Sequence, residues 1–428
     1  MLLQRYDAHR PLSPEDIDEA VHTALAAIHL RGKRVLFIIP DGTRSMPMPA
    51  MFPSLCHASR KMGAHTDFMI ALGTHPPMTE ESICRMIGLT PAERRRDYGE
   101  VQIYNHEWQN PDALIKLGTI SEDEIEAISG GLMRRKADVF VNKRIQDYDV
   151  LCVVGPVFPH EVVGFSGGNK YFFPGIAGED IVNLFHWLGA LITNPVINGV
   201  KETPVRAVID RATALIEKEK WAFCLNVIDS ACQGLFFGSP EEAWSAAADV
   251  SLQSHIIYKH HPYHSVLSMA PLMYDDIWVA GKCMYKLEMV VADGGELIIY
   301  GPHVREISYT HGDRIRRIGY HTRDYFLAQM ERFADVPGAI MAHSTHVRGI
   351  GTFDNGVERP RIRVTLATGI PKEECLSVNL GYRDPASINP DDWRDREAHG
   401  VLLAPHAGET LYRLVERNPQ PTPYRGAR

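Results

Sequence analysis

The sequence predicts an α/β chain of two domains with mostly parallel sheets. Short β-branched or apolar runs alternate with helical stretches, and several runs are apolar throughout. The pattern restarts after the histidine-rich segment His260–His264. Strands that are apolar on both faces belong to parallel sheets covered by helices on each side. A length of 428 residues also favours more than one domain.

In chain order, Arg34–Pro40, Thr66–Leu72, Val101–His106, Val139–Ile145 and Asp149–Val157 read as buried strands. Beyond His264 a strand at Ser265–Ala270 precedes a helical stretch from about Asp275 to Val291 and the strand of GGELIIYG. A helix around Tyr325–Phe333 follows, then strands near Ala339–His343 and Arg361–Thr368. The expected division is 1–263 and 264–403, with 404–428 returning to complete the first domain. The final NPQPTPYRGAR reads as a frayed polar tail.

Forty-five basic residues against 53 acidic ones give a net charge of −8 with no basic stripe, which sets nucleic acid aside. The start, MLLQRYDAHRPL, lacks the apolar core of a signal peptide, and the absence of a run of about 18 apolar residues sets a membrane aside. Seven widely spaced cysteines without a CxxC suit reduced thiols and a cytoplasmic protein.

Ligands of parallel sheets bind in the loops beyond the carboxyl ends of the strands. Four loops qualify: Asp41–Met48, Gly73–Met78, His106–Asn110 and Phe158–Lys170. In the first, Asp41 and Thr43 suit helix capping, while Arg44 suits bidentate recognition of carboxylate or phosphate. Gly73 gives the second its freedom, and His75 stands at another strand end. The third candidate is His106 in NHEWQN.

The richest stretch runs from His160 to His186. It lacks the GK[ST] of a P-loop, the second histidine of HExxH and any GxGxxG. What remains is a Gly164–Gly168 loop delivering Lys170, with one histidine before it and another on the helix after it. Backbone amides of such a loop approach phosphates closely, and the lysine suits a phosphate ligand, a Schiff base or a covalent tether. In the second half, Lys282 lies in DDIWVAGKCMYK.

At these residues the chain resembles the nickel-pincer nucleotide-dependent lactate racemase family. The likeness rests on His160, GFSGGNK at Gly164–Lys170, Pro174–Ile176, His186, the D-x-T-R of Asp41–Arg44, the G-x-H-x-x-x-T of Gly73–Thr79, His106, and Lys282 ahead of Gly294–Gly295. The resemblance implies two α/β domains with the active site in the cleft between them. It implies Lys170 as the tether of a pyridinium-3-thioamide-5-thiocarboxylate mononucleotide and His186 as the protein ligand of its nickel, a metal suited to square-planar sites with an imidazole donor. Asp41, Thr43, Gly73, Thr74, His75, Gly167 and Gly168 would surround the cofactor. His106 and His160 would be the acid/base pair for hydride-transfer racemisation, and Arg44, Lys282 and Trp278 would hold a small 2-hydroxy acid. Upstream cofactor-biosynthesis proteins follow as partners.

Three positions depart from the family's lactate enzymes: Asn169 and Pro76 stand where arginine is typical, and Val279 where glutamine is. With His343, Ser344, His346 and Arg348 as additional polar groups, they point to a substrate larger than lactate, aldonate- or uronate-like. The alternatives are a lysine Schiff-base lyase or aldolase, a binding protein of the same fold, and a zinc hydrolase using His260, His261 and His264.

Overall fold

The computed structural model describes residues 1–415. The first sheet has seven strands: β1 (Leu3–Tyr6), β2 (Arg34–Ile39), β3 (His65–Ile70), β4 (Ile103–Asn105), β5 (Val150–Pro156), β6 (Glu219–Ile228) and β7 (Ala231–Gly238). Their spatial order is β1-β7-β6-β5-β2-β3-β4. From β6 through β5, β2 and β3 to β4 the neighbours are parallel, and β7 and β1 add antiparallel at one edge. β2, β3 and β5 are buried almost throughout, as their unbroken apolar runs require.

The second sheet has five strands, β8 (Tyr263–Met269), β9 (Val291–Gly301), β10 (Arg363–Thr368), β11 (Gly381–Tyr382) and β12 (Val401–Ala404), in the order β11-β10-β9-β8-β12, all parallel. The mixed α/β architecture with mostly parallel sheets agrees with the reading of the sequence. Strand order reverses between β2 and β5 in one sheet and between β8 and β12 in the other, and such switch points open a crevice beyond the strand ends. Leu411–Leu414 pairs with Ile256–Lys259 in a small parallel ladder. Residues 416–428, which include the expected tail, lie outside the described residues.

Four elements differ from expectation. The run expected at Val139–Ile145 is a strand at Ala137–Asn142 that forms an antiparallel hairpin with Leu114–Ile120, outside the main sheet. Its alternating burial is the mark of such a ribbon. The stretch expected as a strand near Ala339–His343 lies in a helix, Gly338–Arg348, buried from Gly338 through Val347. A short apolar run cannot be divided between strand and buried helix by periodicity alone. Here Pro337 opens the helix and Gly349, at φ +84°, ends it. The stretch from Asp275 is broken into Ile277–Ala280, Lys282–Tyr285 and a 3-10 turn at Glu288–Val290, and Val291 already belongs to β9. The helix expected around Tyr325–Phe333 is split into Arg323–Leu327 and a 3-10 turn at Met330–Phe333.

The Gly338–Arg348 helix packs against the Glu179–Ile192 helix, which carries His186. At the crossing a Cβ on Gly338 would sit 2.4 Å from the Asn183 carbonyl oxygen, so only glycine permits this approach. The Asn183 side chain accepts a hydrogen bond from the Ala339 amide at 3.1 Å. Gly338→Ala is expected to destabilise the fold by about 1–3 kcal/mol through overpacking. Denaturant unfolding checks this, and an unchanged midpoint would refute the tight crossing.

Candidate active site

The strand ends beyond the β2/β5 switch point and the segment after β8 face each other across one cavity. Asp41 and Arg44 come from the loop after β2, Gly73, Thr74 and His75 from the loop after β3, and His160, Gly167 and Lys170 from the stretch after β5. His186 arrives on its helix, and the second half contributes Trp278, Val279, Lys282, His343 and His346.

The Gly164–Lys170 loop is held from beneath. The Ser166 hydroxyl donates to the Pro156 carbonyl at 3.0 Å and accepts the Phe158 amide at 3.0 Å. Trp244 Nε1 donates to the Ser166 carbonyl at 2.9 Å. Gly164 has φ +84°, and a Cβ there would meet the Val200 carbonyl oxygen at 1.8 Å. The loop therefore needs glycine both for its backbone conformation and for its packing.

His75 is oriented by a carboxylate: its Nδ1–H donates to Asp41 Oδ2 at 2.5 Å, which leaves Nε2 for a ligand. Thr43 does not line the cavity. Its hydroxyl donates to Asp41 Oδ1 at 2.6 Å and accepts from Arg44 Nη1 at 2.8 Å, so it sets the direction of both neighbours. Burial opposes the Asp41 charge, but His75 and Arg44 outweigh it and hold the carboxyl well below the usual range.

His160 Nδ1 accepts the Val162 amide at 3.2 Å and lies 3.3 Å from Glu161 Oε2. Burial, then the charges of Lys170, Lys286 and Arg44, push its pKa well down, so it is neutral at pH 7. His186 Nδ1–H donates to the Val182 carbonyl at 2.7 Å, which keeps the Nε2 lone pair available to a metal. Among the described residues no group of three His, Cys, Asp or Glu side chains is placed to hold a metal ion. An ion on His186 would take its remaining donors from a bound molecule or water.

Lys282 is 7% exposed, its Nζ makes no hydrogen bond, and it stands 4.7 Å from the centroid of the Tyr274 ring. His346 Nε2 is likewise buried without a partner. Unsatisfied buried polar atoms facing a cavity mark where a ligand's polar groups belong. Burial, then the Arg44 guanidinium, bring the Lys170 amine down to about 7. The donors and the glycine cradle thus fit a lysine-tethered, metal-carrying anionic group.

The structure does not bring His106 to the cavity. It is 1% exposed, its Nε2–H donates to the Ala177 carbonyl at 3.0 Å, and its Nδ1 accepts from Asn142 Nδ2 at 3.1 Å. Both ring nitrogens are spent, and the imidazoles that line the cavity are those of His75, which the sequence had placed among the cofactor contacts, His160, His186, His343 and His346. Gly168 also lies outside the lining, where a Cβ would come within 2.8 Å of Trp244. Asn169 points away, donating to Asp210 at 2.9 Å and Glu241 at 2.7 Å. Ser344 bonds the Gly319 carbonyl and Arg348 the Asn379 carbonyl, so of that cluster only His343 and His346 reach the site. His260, His261 and His264 are exposed and assemble no metal site, which removes the zinc hydrolase reading.

Glu161, Tyr171 and Tyr285 line the cavity without having been singled out from sequence. Glu161, adjacent to His160, and Tyr171, adjacent to Lys170, carried a local signal, and Tyr285 did not.

Residues 11–196 match the lactate racemase N-terminal domain. Residues 11–196 thus carry the chain's likeness to the lactate racemases. The match covers the Asp41, Gly73 and Gly164–Lys170 loops and His186. A lactate racemase from Thermoanaerobacterium thermosaccharolyticum is 30% identical over 223 residues, covering 49% of this chain and 46% of that protein. One from Lactiplantibacillus plantarum is 27% identical over 232 residues, 51% of this chain and 48% of that protein. The matched stretches thus span about half the length of these relatives. A crystal structure of a protein from Thermotoga maritima, 31% identical, superposes with TM-score 0.88 over 96% of this chain and all of that one. The lactate racemase apoprotein of T. thermosaccharolyticum shares the fold, with TM-score 0.68 at 20% identity over 94% of this chain and 93% of its own.

An amine at about 7 is protonated and inert below that pH and nucleophilic above it. Acylation of Lys170 by an amine-selective reagent is expected to rise through about pH 7, some three pH units before exposed lysines react. Peptide mapping of the labelled chain checks this, and a midpoint near 10 would contradict it.

Proposed function

We propose that this chain inverts the configuration at C2 of a 2-hydroxy acid, as a racemase or 2-epimerase. The observation that carries the reading is the meeting of two imidazoles, His75 and His160, with Lys170 and His186 around one cavity. Inverting a secondary alcohol needs a base for the hydroxyl proton in each enantiomer, and each base must be neutral at working pH. His75, aligned by Asp41, takes or returns the proton at Nε2 for one enantiomer. His160 does so for the other in the tautomer with its hydrogen on Nδ1, which faces Glu161 instead of accepting the Val162 amide.

Arg44 and Lys282 hold the substrate carboxylate, and Trp278 bounds it. Lys170 would carry the nickel-pincer nucleotide through an amide-type bond, His186 Nε2 would bind its metal, and Gly73, Thr74 and Gly167 would border it. When bound, that group supplies a hydride acceptor. The same near-neutral amine suits a Schiff base, but that reading gives His186 no task. Upstream cofactor-biosynthesis proteins would load the chain. Seven free, buried cysteines support a cytoplasmic setting, and no helix among the described residues is long and apolar enough to cross a membrane. A division of the chain near residue 264 suits a cleft between two domains.

Intact-mass and nickel measurements on protein made beside the cofactor-biosynthesis proteins test the loading. One adduct mapped to Lys170 and one nickel are expected, and their persistence in Lys170→Ala would overturn the assignment. With loaded protein and a turned-over acid, His75→Ala and His160→Ala should each lose about 10²–10⁴ in rate. His106→Ala should instead cost about 1–3 kcal/mol of stability by orphaning its buried partners, with turnover largely kept. A rate loss confined to His106→Ala would restore that residue to the acid/base pair.

A further inference from the structure

A second cavity, of about 460 Å³, adjoins the first and shares Thr74, Val182 and Ala339 with it as common walls. Its other lining includes Trp108, Gln109, Asn183, His311 and the charged side chains Glu179, Asp313 and Arg314. His311 stands at the junction. Its Nε2 lies 3.2 Å from Thr74 Oγ1, and its ring is 4.4 Å from that of Trp278 in the first cavity and 6.2 Å from that of Trp108 in the second. Trp108 is fixed in turn by donating to the His75 carbonyl at 3.3 Å. A molecule reaching from the first cavity into the second therefore passes His311 and meets the Trp108 ring.

The two cavities differ in charge. Arg44, Lys170 and Lys282 crowd the first and call for anions, whereas one arginine faces two carboxylates in the second. Burial, then Arg314 and His75, hold His311 near 4, so it is neutral at pH 7 and acts by hydrogen bonding alone. A second carboxylate or phosphate would find no excess of cations there. Carboxylates and amides that accept and donate hydrogen bonds, beside an aromatic face, match a chain of hydroxyl-bearing carbons.

We propose that this second cavity is the subsite for the uncharged, polyhydroxylated end of a 2-hydroxy acid longer than three carbons, with Trp108 as its stacking face and His311 and Gln109 among its hydrogen-bonding groups. This rests on the first cavity being the site of 2-hydroxy acid chemistry, and it extends that reading to the substrate class.

The test compares four acids on the cofactor-loaded protein: lactate, malate, 2-hydroxyhexanoate and gluconate. Gluconate is expected to exceed each of the others in kcat/KM by at least about tenfold, because a site built for hydroxyls penalises analogues that lack them. In His311→Phe, which keeps a ring between the two tryptophans, and in the exposed Gln109→Ala, the gluconate-to-lactate ratio should fall. Equal or better turnover of malate or 2-hydroxyhexanoate, or a ratio unmoved by both variants, would overturn the proposal. Thermal shift with the same acids reads the subsite without turnover. A selective shift by gluconate, lost in the variants, would uphold the subsite even if no acid were turned over, and that outcome would reject the racemase reading alone. Equal shifts from all four acids would reject the subsite.

Discussion

Arg206 lies beneath the Gly164–Lys170 loop, 4% exposed, with its guanidinium 4.1 Å from the centroid of the Trp244 ring. It donates to the carbonyls of Gly167 and Phe165 and so ties the loop's backbone down from below. Burying a guanidinium is costly unless it is paired, and burial draws its pKa down to about 10 despite Asp210, Cys224 and Glu241 nearby. The loop is thereby fixed beyond β5, with His160 leading into it and Lys170 at its end. The direction of Lys170, and so the value of His75 and His186 around it, depends on that support. Asn169 belongs to the same underside through Asp210 and Glu241. Its departure from the family pattern thus bears on how the loop is held rather than on substrate contact.

The cavity draws its charges from both sheets. Arg44 comes from the end of β2 and Lys282 from the segment after β8, and neither amine nor guanidinium is fully neutralised by Asp41 and Glu161. Burial, and then the Arg44 charge, depress both Lys170 and Lys282, and an anion beside them would favour their charged forms. An anion between Arg44 and Lys282 would tie the two sheets across the cleft. Glu409, which follows β12, already accepts the Ser45 amide at 3.2 Å and couples the loop of Asp41 to the second half.

Much of this was legible in the chain. The uninterrupted apolar runs at β2, β3 and β5 announced parallel strands, and the rule that ligands sit beyond their carboxyl ends pointed to Asp41, His75, His160 and Lys170. His106 shows where that rule stops. It follows a strand just as His75 does, and only the positions of Ala177 and Asn142 reveal that its ring is satisfied inside the fold. The Gly338–Arg348 helix was hidden because an apolar run buried on all sides carries no periodicity. His343 and His346, expected on or beyond a strand, therefore reached the cavity by a route that local patterning could not show. Tyr285 reaches the first cavity and the junction residue His311 the second through tertiary packing alone, with no motif around them.

In the proposed inversion at C2 the hydrogen on that carbon returns to the substrate, while His75 and His160 handle only the hydroxyl proton. Following a 2-deuterated acid by mass spectrometry with cofactor-loaded protein in ordinary water tests that directly. The label is expected to stay on C2 as the enantiomer or epimer accumulates. Loss of the label to solvent at the rate of inversion would show proton abstraction from carbon and would contradict it.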